Sequence, residues 1–157
     1  VQNRERHFEA IYHQYHQMVY NICYTYLRFS TDAEDIMQDA FMDFYQANKS
    51  FDSAEQEKYY LIRIVINRCK TYLRKKKRVI LLHPSMVERI QSDDKIEDAS
   101  IFDAVRSLEA KYKEVIVLKY VENLSYQEIA QILNTNEANV RKRMERAIKM
   151  LKEKWEV

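Results

Sequence analysis

The C-terminal third of the chain concentrates side chains that can bind phosphate and read base edges. Residues 136–155 hold seven Lys or Arg residues against three acidic residues, which leaves this segment a net charge of +4. An apolar set recurs there at helical spacing and is expected to pack inward: Val140, Met144, Ala147, Ile148 and Leu151. The opposite strip then faces outward: Arg141, Lys142, Glu145, Arg146 and Lys149. Cations on such a strip neutralise phosphates, and Arg, Lys or Glu can pair with bases in a DNA major groove.

A short helix and a polar turn are predicted just before this basic helix. Ser125 and Glu128 have the S-x-x-E spacing of a capping box, which predicts a helix beginning there. Asn134, Thr135 and Asn136 then interrupt the apolar pattern, and we expect Asn136 to cap the second helix and Asn134 to be left-handed. This arrangement is typical of a helix-turn-helix, so the segment predicts DNA binding. The alternative is two amphipathic helices of an ordinary bundle with a solvated basic face.

A second concentration of positive charge lies near the middle of the chain. Residues 63–78 hold eight Lys or Arg residues and no acidic residue. Tyr59 and Tyr60 lie just before this stretch and Tyr72 lies within it, and all three could stack on bases, although aromatic residues at helical spacing are more often core residues. Basic residues interleaved with aromatic ones suit a partly single-stranded nucleic acid.

The helix predicted before this segment has the opposite charge. Thr31 and Glu34 suggest a capping box at its start. Its apolar stripe comprises Ala33, Ile36, Met37, Ala40, Phe41 and Phe44. Residues 30–45 contain no Lys or Arg but five acidic residues: Asp32, Glu34, Asp35, Asp39 and Asp43. Acidic side chains of this kind steer basic protein partners, unless they form only a solvated face.

The composition favours an all-α chain of two small helical domains. The 157 residues include no glycine and one proline, Pro84, whereas strands and hairpins usually need both at their turns. Apolar stripes predict three helices in residues 1–78, with a polar loop at Lys49–Glu57, and the helix-turn-helix in residues 100–157. Residues 79–99 are predicted to be a flexible linker, because they contain the proline and a locally acidic stretch.

No catalytic or metal-binding constellation is visible in the sequence. His7, His13, His16 and His83 lack carboxylate or cysteine partners at ligand spacing. A glycine-rich phosphate loop is impossible without glycine. Cys23 and Cys69 stand alone, and the sequence shows no secretory leader or apolar run long enough for a bilayer. We therefore expect a cytoplasmic protein that is not an enzyme and has no cofactor, metal or small-molecule substrate.

Taken together, these motifs resemble bacterial RNA polymerase sigma factors of the sigma-70 family, in the extracytoplasmic-function (ECF) group that keeps only regions 2 and 4. The helix of region 2 that binds polymerase is similar to DAEDIMQDAF, residues 32–41. The promoter-melting and −10 helix resembles YYLIRIVINRCKTYLRKKKR, residues 59–78. The −35 reading domain is similar to residues 107–151, although Leu108-Glu109 replaces the usual Leu-Pro and Asn134 stands near a usual glycine.

The resemblance implies three binding surfaces and three partners. Core RNA polymerase, through the clamp helices of its largest subunit, is expected to contact Asp35, Gln38, Asp39, Phe41 and Asp43. The −10 element of promoter DNA is expected to contact Arg63, Asn67, Lys70, Arg74 and Lys75. The −35 element is expected to contact Asn139, Arg141, Lys142, Arg143, Glu145, Arg146 and Lys149. The family also implies an anti-sigma factor, which can be membrane-bound.

Two other function classes fit parts of the sequence. A stand-alone helix-turn-helix regulator would bind duplex operators as a symmetric dimer, without polymerase. A scaffold protein would tolerate neutralisation of both basic strips. A sigma factor differs from both because it needs core polymerase for tight promoter binding.

Overall fold

A computed structural model describes residues 2–82 and 101–155, and all regular secondary structure in these residues is helical. The helices are α1 (Gln2–Leu27), α2 (Ser30–Ala47), α3 (Ala54–Leu82), α4 (Ile101–Arg106), α5 (Ala110–Ile116), a π-helical segment (Val117–Val121), α6 (Tyr126–Ile132) and α7 (Glu137–Trp155). The prediction of an all-α chain is confirmed.

The first half is a bundle of α1, α2 and α3. These helices pack because each carries one apolar stripe, and the side chains that meet at the centre are fully buried, among them Val19, Ile22, Leu61 and Ile62. The second half packs α5 and α6 against α7 through Val115, Ile129, Val140 and Met144.

The two halves pack against each other. Helix α1 contacts α4 and the π-helical segment, and α3 contacts α6. The buried apolar side chains of both halves form one continuous cluster. Polar side chains also pair across the junction of the two halves. The basic helix α3 therefore lies close to the helix-turn-helix.

Asparagine supplies most of the left-handed backbone positions that glycine supplies in other proteins. In the described residues, φ is positive at Arg28, Asn48, Asn123 and Asn134. Asn tolerates this conformation better than most residues, because its short polar side chain can hydrogen-bond locally. The left-handed conformation predicted for Asn134, with φ of 54°, is confirmed.

Three predicted boundaries are wrong. Helix α2 begins at Ser30 after Phe29, with no side-chain capping bond, so Thr31 lies inside the first turn and forms no capping box. The loop predicted at Lys49–Glu57 is shorter, because α3 begins at Ala54 and the hydroxyl of Ser53 accepts a hydrogen bond from the Gln56 backbone N–H at 3.2 Å. Helix α3 also continues to Leu82, since no glycine or proline stops it before Pro84. The remaining linker prediction, residues 83–99, lies outside the described residues.

We expect the cap of α7 to contribute measurably to stability. Replacing Asn136→Ala removes the side-chain oxygen that accepts the Asn139 backbone N–H at 2.8 Å. The free energy of unfolding should fall by about 1 kcal/mol, measured by urea denaturation followed by circular dichroism. Asn136→Ser keeps a capping oxygen and should stay close to wild type. Equal losses for both substitutions would mean that capping is not the role of Asn136.

Candidate nucleic-acid interface

The helix-turn-helix is built from reciprocal capping bonds. The Ser125 hydroxyl accepts the Glu128 backbone N–H at 3.1 Å, and the Glu128 carboxylate accepts the Ser125 backbone N–H at 3.2 Å. At the turn, the backbone N–H of Thr135 donates to the Ala130 carbonyl at 2.9 Å. Asn136 then caps α7. The predicted capping box and the predicted cap at Asn136 are both confirmed.

Helix α7 presents a basic strip to solvent. Val140, Met144 and Ala147 are buried, so the opposite face is exposed, as the sequence predicts. Its exposed residues include Asn139, Arg141, Lys142, Glu145, Arg146 and Lys149. Arg143 differs, since it is half-buried and lines a crevice facing α3.

Within this strip, Arg141 is already held by its neighbours. Its guanidinium donates to the Glu137 carboxylate at 2.8 Å and lies 5.0 Å from the centre of the Tyr126 ring. The ion pair is exposed and therefore weak, but it fixes the direction of the side chain. Lys142 and Glu145 make no ion pair or hydrogen bond in the described parts of the chain, so both are free to meet a ligand.

The basic residues of α3 divide into two groups. Arg74 and Lys75 are exposed to solvent. Arg63 donates from Nε to the Ile132 carbonyl at 2.9 Å and from Nη2 to the Gln131 carbonyl at 3.1 Å. Lys70 forms an ion pair of 2.9 Å with Glu114 of α5.

Asn67 belongs to the same part of α3. It is exposed and lines a polar crevice of about 390 Å³ together with Arg63, Lys70, Glu114 and Arg143. The structure therefore brings three of the predicted −10 residues against the second half of the chain.

The tyrosines near this surface belong to the packing. Tyr59 is 6% exposed, and its hydroxyl donates to the Glu128 carboxylate at 2.9 Å. Burial and this bond raise the pKa of Tyr59 to about 12. The Tyr60 ring lies 5.3 Å from that of Phe51, and burial raises the pKa of Tyr72 to about 12. The structure favours the core interpretation over the stacking platform.

The acidic face of α2 is present but smaller than predicted. Asp35, Gln38 and Asp39 are exposed. Phe41 is 2% exposed and packs against the rings of Phe8 and Tyr12, so its predicted place in the apolar stripe is confirmed, and its contact with polymerase stays a prediction. The residue belongs to the apolar stripe of α2, which turns it toward α1.

Asp43 is bound within the chain. Its carboxylate accepts two hydrogen bonds from Arg68 of α3, at 2.5 and 2.7 Å. This bidentate contact lowers the pKa of Asp43. Asp43 therefore joins α2 to α3 in this structure, and its charge is balanced by Arg68.

Sequence reasoning missed the acidic residues at the junction of the two halves. Glu114 is 6% exposed and pairs with Lys70, and Glu128 binds Tyr59 in addition to its capping role. The only signal for Glu114 in the sequence is its position between apolar residues of a predicted helix. Among residues 2–82 and 101–155, no cluster of His, Cys, Asp and Glu could hold a metal ion. None of the helices in that same part of the chain has the length and hydropathy needed to cross a bilayer.

Comparison with known proteins shows which class of DNA-binding protein this chain belongs to. Residues 11–79 match the family model described as Sigma-70 region 2, and residues 99–151 match Sigma-70, region 4. The ECF RNA polymerase sigma factor SigW of Bacillus subtilis (strain 168) is 33% identical, over 92% of this chain and 87% of SigW. The chain belongs to the ECF sigma factors. As a member of that family it is a transcription initiation factor, and the alternative of a stand-alone regulator is not favoured.

Other relatives agree with this assignment. RNA polymerase sigma factor SigV of the same Bacillus strain is 26% identical, over 87% of this chain and 83% of SigV. The structure of RpoE from Bartonella quintana, in complex with the anti-sigma factor NepR, has a TM-score of 0.71 at 21% identity and covers 97% of this chain and 98% of RpoE. The structure of CnrH, in complex with the cytosolic domain of CnrY, has a TM-score of 0.70 at 22% identity and covers 97% of this chain and 89% of CnrH. The predicted fold of two helical sigma regions is confirmed.

We expect Glu122 to make the stability of this sigma factor depend on pH. It follows the π-helical segment, and burial raises its pKa from 4.5 to about 7, while Lys58 of α3 lowers it. Between these two values the folded chain binds more protons than the unfolded chain, so stability falls as pH rises through that window. We expect Glu122→Gln to unfold at higher urea than wild type at pH 8, with a gain of about 1 kcal/mol, because the side chain is only half-buried and solvent screens its charge.

The gain should shrink as the pH is lowered toward 5, because wild-type Glu122 then becomes protonated. Glu153→Gln removes one negative charge at an exposed position of α7 and serves as the control. A gain in Glu122→Gln that stays constant from pH 5 to pH 8 would show that ionisation of Glu122 is not the cause.

Proposed function

We propose that this ECF sigma factor binds core RNA polymerase through α2 and promoter DNA through α3 and α7. Residues 1–78 would form region 2, and residues 100–157 region 4. The observation that carries the proposal is the separation of charge. An acidic face on α2 and a basic strip on α7 lie on different helices, so one chain can contact a protein and a DNA duplex together.

The polymerase surface would consist of Asp35, Gln38 and Asp39, facing the clamp helices of the largest subunit. Their exposure leaves them available to steer a basic partner. Asp43 is a weaker candidate because Arg68 already binds its carboxylate. Phe41 would act from within the core by holding α2 against α1.

The charge-reversed variant Asp35→Lys/Asp39→Lys tests the polymerase surface and the function together. Wild type, added to core polymerase free of sigma factor and to a genomic promoter library, should yield transcripts with defined starts, read by sequencing. The variant should bind core at least about tenfold more weakly, a loss of about 1.4 kcal/mol, because like charges then face the clamp.

Glu5→Lys/Glu9→Lys introduces the same charge change on exposed positions of α1 and is the matched control. It should bind core as wild type does. Core binding that is equally tight for all three proteins would remove α2 as the docking surface. If the chain instead binds a specific duplex sequence as a dimer, and core polymerase yields no defined transcripts with it, a stand-alone regulator would be favoured.

The −10 element would be contacted by the helix α3. Arg63, Asn67 and Lys70 share one side of it, and Arg74 and Lys75 extend the positive charge toward its C-terminal end. The loop between α2 and α3 would hold an unstacked base as the duplex opens. Because the neighbouring tyrosines are packed, recognition there would depend on polar contacts and charge.

The −35 element would be read by the outer strip of α7. Lys142 and Glu145 are the proposed base readers, because they are exposed and free near the start of the helix. Arg141 would grip phosphate from the position that Glu137 and Tyr126 hold. Asn139, Arg143, Arg146 and Lys149 would extend the contact along the groove.

Alanine substitutions should separate base readers from phosphate contacts. We expect Lys142→Ala and Glu145→Ala to lose about 1–3 kcal/mol of discrimination at one base pair each, whereas Arg141→Ala should weaken all sequences alike. Holoenzyme affinity for every single-base variant of the −35 element is the measurement. Lys152→Ala, at the far end of α7, controls for the loss of one charge. A uniform loss in all the variants would assign this helix to backbone anchoring alone.

The proposal includes restraint by an anti-sigma factor. One structural relative, RpoE from Bartonella quintana, was solved with such a partner, which supports the idea that this chain also has one. Because its partners would be polymerase and promoter DNA, we place the chain in the cytoplasm. Its proposed role is binding without catalysis.

A further inference from the structure

Helix α3 continues past the end of the bundle that it forms with α1 and α2. The ammonium group of Lys76 lies 5.2 Å from the centre of the Phe29 ring. Phe29 lies in the short connection between the end of α1 at Leu27 and the start of α2 at Ser30. Residues 77–82, which follow Lys76, add about 9 Å of helix beyond this level, at 1.5 Å per residue. We call residues 77–82 the α3 tip.

The apolar side chains of the α3 tip are turned to solvent. Val79 is 40% exposed, Leu81 is 71% exposed and Leu82 is 68% exposed. Leu81 and Leu82 are more exposed than any other large apolar side chain in residues 2–82 and 101–155. Single exposed apolar residues are common on protein surfaces, but a contiguous group of them is typical of a protein or membrane interaction site.

A run of cations comes directly before these apolar side chains. It consists of Arg74, Lys75, Lys76, Lys77 and Arg78. Residues 58–87 contain no acidic residue that could balance this charge along the helix. All the cations of the run except Lys76, which lies over the Phe29 ring, are exposed and make no hydrogen bond or ion pair within the described residues. The run is therefore available to an anionic partner.

The apolar side chains decide which anionic partner fits this end of α3. A DNA backbone would engage the cations, but phosphate contacts make no use of exposed leucines. An anionic lipid bilayer uses both features, because its headgroups attract Lys and Arg while the boundary of its hydrocarbon region takes up apolar side chains. The order along the helix also fits, since the leucines lie at the end and the cations lie behind them, where long side chains can reach the headgroups.

We propose that the α3 tip, together with the cation run at residues 74–78, is a binding surface for anionic lipid membranes. Val79, Leu81 and Leu82 enter the interfacial region, and the cations pair with lipid phosphates. The attachment is peripheral and reversible, because no helix in residues 2–82 and 101–155 has the length and hydropathy to cross a bilayer. The inference goes beyond the proposed function and does not depend on it, since lipid binding requires neither polymerase nor a promoter.

Membrane binding would use side chains that the proposed −10 surface also needs. Arg74 and Lys75 belong to both surfaces. A chain whose cation run is bound to lipid phosphates cannot offer the same cations to DNA phosphates. Membrane and promoter would thus compete for one end of α3, and this consequence alone rests on the proposed function.

Flotation of the full-length chain with lipid vesicles tests the inference. One set of vesicles is phosphatidylcholine with about one third phosphatidylglycerol, and the other set is phosphatidylcholine alone. We expect wild type to bind the anionic vesicles at least about tenfold more tightly, and the difference should shrink at high salt because ions screen the attraction. Equal binding to both sets, or binding to neither, would overturn the inference.

The variant Leu81→Ser/Leu82→Ser removes the apolar part of the surface. Its affinity for the anionic vesicles should fall at least about tenfold, because two apolar side chains no longer leave water. Its helical content, measured by circular dichroism, should not change, since both positions are exposed. The matched control, Ile101→Ser/Phe102→Ser, alters two adjacent exposed apolar residues of α4 that have no cation run beside them, and it should bind as wild type does. Vesicle binding by the leucine variant that equals wild type would rule out apolar insertion and the inference with it.

The variant Lys77→Gln/Arg78→Gln tests the charged part of the surface. It should also bind anionic vesicles about tenfold more weakly, because each lost cation weakens the attraction to the lipid surface. Lys152→Gln/Lys154→Gln removes the same net charge from exposed positions near the end of α7 and should bind as wild type does. Equal losses from the two variants would mean that net charge alone attracts the vesicles, which contradicts a surface at the end of α3.

Binding to duplex DNA separates a membrane surface from a nucleic-acid surface. The measurement is fluorescence anisotropy of a labelled duplex without promoter sequence, titrated with the free chain. We expect Leu81→Ser/Leu82→Ser to keep the wild-type affinity for this duplex, because the cations are unchanged. If the variant loses affinity for the duplex and for the vesicles alike, the α3 tip is a nucleic-acid surface and the inference is wrong.

Discussion

Except for α5, whose residues 112–116 are all buried, the long helices of this chain bury only one side, and that constraint decides where their charges can act. Val140, Met144 and Ala147 commit one side of α7 to the core, so Lys142 and Glu145 must face outward. The same packing on α2 and α3 leaves an acidic face on one helix and a basic face on the other. The surfaces of this sigma factor thus follow from the apolar stripes beneath them.

The sharp turns needed for this packing are made without glycine. Asn48, Asn123 and Asn134 adopt positive φ after α2, after the π-helical segment and after α6. At Asn134 this backbone reversal sets the angle between the two helices of the helix-turn-helix. Capping by Ser125 and Asn136 fixes the ends of the same two helices. The orientation of α7 therefore depends on a few polar side chains close in sequence.

Local signals such as these were predictable from the sequence, whereas contacts between distant segments were not. The capping box, the cap of α7 and the exposed strip all follow from residues within a few positions of one another. The burial of Phe41 was predictable from the apolar stripe of α2, but its packing partners, Phe8 and Tyr12, lie on another helix and were not. Periodicity shows that a residue has a buried side, but the apposed helix depends on the tertiary fold.

The pairing of Lys70 with Glu114 is a contact between segments that are distant in sequence. It bears on how the chain behaves when no partner is bound. Exposed cations bind any polyanion, because each phosphate contact releases counterions whatever the base sequence. By giving Arg63 and Lys70 partners within the chain, the fold reduces the charge available for such binding. The strip on α7, which is the proposed −35 surface, stays exposed. Of the two proposed DNA surfaces, only the one on α3 is covered in part by the chain itself, at Arg63 and Lys70.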